Sequence, residues 1–271
     1  MPLSRFGRSN IRQRIAVHFN AFYVFVTPEA RSLNTARVDH LASLRLDLDR
    51  RHVLEVGAGI GLLTEFFLSR GCSVLSTDSR PENVAEMRRR YPGRNVCSLD
   101  LERPDEISAI GIFDVVFCYG TLYHLSNPEA ALRALAKVSS LILLETCCTP
   151  GDTEEVNVVP EQLNVRNQSS SGQGCRPTRP WVLRRVRELW GHGYLPLTQP
   201  DHREFPLAWT GLHRDVRPTE NTRAIFVGSR VPLDNPLLVE TIPEMQSRYL
   251  ARPFHGFRGS GELKDAKVAF P

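Results

Sequence analysis

Between residues 51 and 147, short apolar runs alternate with amphipathic stretches. The runs cover residues 53–56, 74–78, 95–101, 113–120 and 141–145, and each reads as a strand. An apolar helical pattern follows the first run over residues 62–68. Pro81 and Pro128 open two further helices, at a position where the missing amide has no partner to lose. Strand and helix in alternation predict a parallel sheet with helices on both faces. Residues 222–227, Thr-Arg-Ala-Ile-Phe-Val, add a last strand, expected as an antiparallel edge.

The flanks differ in pattern. Two helices are expected before the sheet, over residues 11–25 and 33–48, separated by the Thr27-Pro28-Glu29 break. In the first, Ile15, Phe19 and Phe22 share one face, with Arg12 and Arg14 off it. Residues 149–180 turn polar and glycine-rich and read as a long irregular insertion, which in a compact domain is more often a functional lid than filler. An amphipathic helix follows over residues 180–190, and then a second polar loop over residues 199–206. The tail, residues 231–271, is proline-rich and then glycine-rich, with flexibility expected beyond about residue 253. The expected organisation is therefore an N-terminal helical extension or lid (residues 1–50), one α/β domain (51–230, with a substrate-side insertion and loops at 149–210) and a partly flexible tail (231–271).

Composition narrows the functional classes. The net charge is +4, but the arginines lie in scattered groups with no basic stripe interleaved with aromatics, which disfavours nucleic acid as partner. The 6 cysteines include no Cys-x-x-Cys pair, so buried free thiols in a reducing compartment are expected, and no metal site. No run reaches bilayer-spanning length and no secretory signal is read at the N-terminus, so a cytoplasmic location is expected.

The first strand, Val53-Leu54-Glu55-Val56, runs into Gly57-Ala58-Gly59-Ile60-Gly61. Strand, glycine turn and helix form a ligand-binding edge, because glycine lets the backbone press against a ligand. The third glycine comes one residue earlier than in the dinucleotide fingerprint, and an acid precedes the first glycine by two. The second strand ends in Asp78, about 20 residues beyond the glycines, where a carboxylate reaches both ribose hydroxyls. The third strand ends in Asp100-Leu101, and the fourth in Cys118-Tyr119-Gly120, continued by Thr121-Leu122-Tyr123-His124-Leu125-Ser126-Asn127-Pro128. As a set, these segments resemble the class I S-adenosylmethionine-dependent methyltransferases over about residues 50–147. The Tyr-His-Leu-Ser-Asn-Pro run is most similar to bacterial members acting on metabolites and glycans.

The resemblance implies a Rossmann-like, seven-stranded, mostly parallel sheet and S-adenosyl-L-methionine as cofactor. It implies that Glu55 and the backbone of Gly57, Ala58, Gly59 and Gly61 hold the methionine portion. Asp78 would take the ribose, with Ser79 beside the adenine, Asp100 and the Leu101 amide on the adenine edge, and Cys118, Tyr119 and Tyr123 near the donor's amino group. His124, at the edge where the methyl should point, is the first candidate general base, since a hydroxyl acceptor must lose its proton. Glu145 and His202 are further catalytic candidates, and Arg176, Arg179 and His202 are candidates for an anionic group on the acceptor. No Asn-Pro-Pro-Tyr or Pro-Cys signature follows the fourth strand, which favours a small-molecule or glycan-type acceptor methylated at oxygen over a nucleic acid. Two other readings share the strand, turn and helix. An NAD(P)-dependent oxidoreductase is disfavoured by the glycine spacing and Glu55. The other is a methyltransferase-like binding protein without catalysis.

Overall fold

The computed structural model describes residues 21–210 and 221–250. The five apolar runs become β1 (His52–Val56), β2 (Ser73–Asp78), β3 (Asn95–Ser98), β4 (Phe113–Tyr119) and β5 (Ser139–Cys147), all parallel. Beyond them lie a hairpin, β6 (Val156–Pro160) with β7 (Gln173–Pro177), then β8 (His192–Pro196), β9 (Thr198–Gln199), β10 (Arg223–Ser229), β11 (Leu238–Val239) and β12 (Ser247–Arg248). The main sheet runs β3-β2-β1-β4-β5-β10-β8-β11, with β10 antiparallel to both β5 and β8.

The sheet has eight strands where seven are expected. Leu238 and Val239 pair with Pro196 and Leu195 and cover the edge of β8. A bare edge offers unpaired backbone groups to any passing chain, so a short covering strand is a usual remedy. The strand falls in the tail, ahead of the part beyond about residue 253 where flexibility is expected; that part lies outside the described residues.

The helices are α1 (Pro28–Ser43), α2 (Glu65–Leu68), α3 (Pro81–Arg90), α4 (Pro104–Ser108), α5 (Pro128–Lys137) and α6 (Arg179–Trp190). The expected helix over residues 11–25 lies mostly outside the described residues, and within them Tyr23–Phe25 is a 3-10 turn. The second expected helix starts earlier and ends earlier than its apolar pattern suggests. Thr27 caps it, its hydroxyl accepting from the Ala30 amide at 3.1 Å, and Pro28 occupies the first turn. The chain leaves through Arg45 in the left-handed region at φ 51°, so Leu44 and Leu48 are buried without being helical. Thr27→Ala is expected to cost about 1 kcal/mol, the usual worth of such a cap, read as a lower urea midpoint at unchanged m-value.

Two apolar layers sandwich the sheet. On one face Leu54, Val116 and Ile142 meet Leu132 and Leu135 of α5 and Val186 and Trp190 of α6. On the other, Val53, Phe117 and Leu143 meet Phe67 and the α1 residues Leu33 and Leu41. Each fully buried side chain of this size contributes about 1.5–3 kcal/mol. The packing leaves the carboxyl ends of β1 to β4 facing a cavity.

The insertion is more regular than expected. Residues 156–160, Val-Asn-Val-Val-Pro, form a strand paired in register with residues 173–177, and only residues 161–172 between them are irregular.

Candidate active site

The glycine turn forms one wall of the cavity. Gly57, Gly59 and Gly61 have φ of 64°, 59° and 77°, a region that other residues enter at a cost of about 1–2 kcal/mol. A Cβ on Gly57 would stand 2.1 Å from Thr121 Oγ1, and one on Gly59 would stand 2.7 Å from Phe25 Cε1. The turn therefore threads between the β4 exit and the N-terminal segment, and only hydrogen fits. The Gly59 amide donates to Asp78 Oδ2 at 2.9 Å, while Oδ1 accepts from the Arg80 amide at 2.9 Å and from Asn83 Nδ2 at 3.1 Å. Burial pushes the Asp78 carboxyl up to about 6 against the pull of these donors.

Of the residues expected to hold a cofactor, Gly57, Ala58, Gly59, Asp78, Ser79, Asp100, Leu101, Tyr119 and Tyr123 all line this one cavity. Three do not. Glu55 points away, its Oε2 accepting from Thr64 Oγ1 at 2.6 Å and Ser76 Oγ at 2.7 Å. Burial raises its pKa although both hydroxyls oppose the shift. Glu55 therefore ties β1 to β2 and α2, because strand alternation turns its side chain to the side opposite the cavity. Gly61 closes the turn through its amide to the Ala58 carbonyl at 2.9 Å. Cys118 faces the core, fully buried, its thiol pushed up to about 12 by burial, so its neighbours Tyr119 and Gly120 form the wall.

Among the catalytic candidates, His124 lines the cavity and Glu145 and His202 do not. Glu145 is fully buried and held by two arginines, with Arg37 Nη2 at 2.5 Å and Arg223 Nη1 at 2.9 Å. Burial pushes its carboxyl up, but the two guanidiniums outweigh burial and hold it below the ordinary value. It stands off the cavity wall, so it does not meet an acceptor there. His202 lies 3.4 Å from Glu29 Oε1 and accepts the Glu204 amide on Nδ1 at 3.3 Å, so it braces its own loop.

The arginines expected to clamp an acceptor are also engaged elsewhere. Arg176 Nη1 donates to the Cys175 carbonyl at 2.8 Å and the Tyr123 carbonyl at 3.2 Å. Arg179 lies over the Trp209 ring at 4.3 Å, and burial pulls its pKa down to about 10. Neither lines the cavity.

The cavity has residues that no motif announced. Arg37 and Asn34 of α1, Phe25 before it, and Arg223 at the start of β10 all line it. Arg37 lies on the apolar stripe of α1 between Leu33 and Leu41, and a charge at that register was the one available signal. Arg37 Nε and the Tyr119 hydroxyl are buried with no hydrogen-bond partner among the described residues, and such atoms in a cavity wall suit a polar ligand. Residues 166–170 of the insertion form the remaining wall. They are fastened beside Asp78 by Arg80 Nη2, which donates to the carbonyls of Ser169 at 2.8 Å and Leu163 at 3.0 Å.

A sheet of order 3-2-1-4-5 with an antiparallel strand beyond it thus carries a glycine-walled cavity at its carboxyl edge. Residues 54–140 match the family described as "Methyltransferase domain". The "Ubiquinone biosynthesis O-methyltransferase" of Xanthomonas oryzae pv. oryzae (strain PXO99A) is 35% identical over 111 residues, covering 40% of this chain and 46% of that protein. The protein of the same name from Xanthomonas euvesicatoria pv. vesicatoria (strain 85-10) is 34% identical over 116 residues, with the same coverage. The chain thus spans about half the length of the curated relatives it matches. The N-terminal domain of EvdMO1, solved in the presence of SAH and D-fucose, shares the fold at a TM-score of 0.55 and 21% identity, covering 75% of this chain and 84% of that one.

Proposed function

We propose that this chain transfers a methyl group from S-adenosylmethionine to an oxygen of a small-molecule or glycan-type acceptor. One observation carries this reading. The cavity gathers the glycine turn, Asp78, Asp100, Leu101 and Tyr119 from four different strand ends and sets His124 on the same wall. The cradle fits the cofactor. It has side-chain-free glycines and a carboxylate for the ribose, and Arg37 and Tyr119 of its wall each carry a buried polar atom without a partner among the described residues.

When bound, S-adenosylmethionine supplies a methyl group already activated on a sulfonium. The protein's share is alignment and exclusion of water. Asp78 accepts the two ribose hydroxyls. Asp100 retains Oδ2 for the adenine amino group, because its Oδ1 already accepts the Glu102 amide at 3.0 Å. Arg37 takes the methionine carboxylate. Phe25, α1 and residues 166–170 close the cavity from outside and act together as its lid. His124 removes the acceptor's proton.

The relatives named as O-methyltransferases support methylation at oxygen, and the neighbour solved with D-fucose supports a glycan-type acceptor. No described helix is long and apolar enough to cross a membrane. Calorimetry with S-adenosylhomocysteine tests the reading. Binding in the micromolar range is expected, and no heat at high micromolar product would sink it.

A further inference from the structure

His124 follows β4 in a 3-10 turn (Leu122–His124), and its side chain lines the cavity. Its Nδ1 lies 2.5 Å from Glu161 Oε2. Nε2 makes no hydrogen bond among the described residues and is not a fully enclosed atom, so this nitrogen is the one presented to the cavity. Glu161 lies 37 residues further along the chain, at the first residue after β6, and its side chain is 2% exposed. Three further contacts fix it. The Ser169 amide donates to Oε2 at 2.8 Å, Arg176 Nη1 lies 3.5 Å from Oε1, and the Glu161 amide donates to the Gly172 carbonyl at 2.9 Å.

The charges settle which atom carries the proton. Burial pushes the Glu161 carboxyl up, but His124, the Ser169 amide and Arg176 together hold it below the ordinary value, so it is ionised. An ionised carboxylate only accepts, and Nδ1 must therefore donate. Burial pulls His124 down by more than Glu161 raises it, with Arg176 and Arg223 also opposing a second positive charge, so the ring is neutral near pH 7. A neutral ring with its proton on Nδ1 has a lone pair on Nε2. The Tyr123 ring, with its centroid 4.1 Å from that of His124, packs against the imidazole.

We propose that Glu161 is the positioning residue for His124, keeping the proton on Nδ1 so that Nε2 meets the acceptor hydroxyl as a base. The proton leaves the acceptor oxygen for Nε2 as that oxygen gains the methyl, and the imidazolium then releases it to solvent. The carboxylate stays ionised throughout and stabilises the transient positive ring. The inference rests on the methyl-transfer reading, and it gives the β6–β7 insertion a defined task. The insertion both walls the cavity through residues 166–170 and orients the base, with the Ser169 amide joining the two.

The test uses the full chain labelled with 15N at histidine, saturated with S-adenosylhomocysteine, with the His124 signals assigned by their loss in His124→Asn. His124 is expected in its Nδ1-protonated form over the neutral range. In Glu161→Gln the preference for that form is expected to be lost and the titration midpoint to move to lower pH, because the group that raises it is gone. Glu161→Asp should restore both in part. A purely structural Glu161 would leave tautomer and midpoint unchanged in Glu161→Gln, and that result, or an Nε2-protonated ring in the parent, overturns the pair. Circular dichroism on each variant confirms a folded chain. A parent that fails to bind the product overturns the functional reading itself, and with it the catalytic sense of the pair.

Discussion

Glu145→Ala is expected to lower the free energy of unfolding by about 3–5 kcal/mol, the cost of breaking a buried ion pair from one side. Glu145 stands in the middle of the sheet, in register with Tyr119 of β4 and Ile225 of β10. Arg37 reaches it from α1 and Arg223 from β10. Removing the carboxylate leaves two buried guanidiniums without it. Arg223 retains Glu204, but Arg37 retains only Asn34 Oδ1 at 3.1 Å. For a domain of this size each kcal/mol shifts the melting temperature by about 2–4 °C, so a fall of roughly 10 °C is expected. The contribution is also pH-dependent. The folded pKa lies below the ordinary 4.5, so the stabilisation is complete above that value and is lost as pH falls through the folded pKa. Denaturant titration of the parent and variant decides the matter. A change below about 1 kcal/mol, no more than an exposed pair contributes, would mean that Glu145 does not hold the two arginines in solution.

Asp78→Ala is expected to weaken S-adenosylhomocysteine about a hundredfold or more. Two ribose hydroxyls donating to a carboxylate are worth about 1.5–3 kcal/mol each, and the variant also frees the Gly59 amide that shapes the turn. The parent's affinity should depend on pH in a defined direction. In the ligand-free protein the Asp78 pKa is about 6, and hydroxyl donors favour the ionised form. Affinity therefore rises as pH rises through about 6 and levels off above it. Stability of the ligand-free protein runs the other way. A folded pKa raised from 3.8 means that this group's contribution is complete below 3.8 and is lost as pH rises through about 6. Calorimetry from pH 5 to pH 8 separates the two trends. A flat affinity profile, or an Asp78→Ala variant that binds like the parent, would remove Asp78 from the ribose site.

These two acids show how far sequence carries. The place of Asp78 in the cavity wall was legible because it follows from local order: a strand end, a fixed distance after a glycine turn, in a parallel sheet. Glu145 reads as the end of the fifth strand, but β5 runs on to Cys147, and the partners of Glu145 come from residues 37 and 223; no local pattern reports a contact over such separations. Glu55 fails for another reason. It has the right position in the motif, but strand alternation turns it toward Thr64 and Ser76, and the direction of one side chain depends on where the two faces of the sheet pack. Strand β8 escaped detection because Gly193 and Pro196 disguise its apolar character, and its pairing with β10 comes from the far side of the chain.

What the sequence determined by itself was the frame: five parallel strands, the glycine turn, the proline-opened helices and the line of cavity residues from Gly57 to Tyr123. Each depends on residues close together in the chain, where backbone conformation and apolar period act directly. The tertiary structure alone decided which charges meet. It seated Glu145 between Arg37 and Arg223, and it brought Glu161 from an insertion that reads as a polar loop to the ring of His124. Burial is the physical reason. A charge removed from water must find a partner, and which partner it finds depends on the packing of distant elements rather than on its neighbours in sequence.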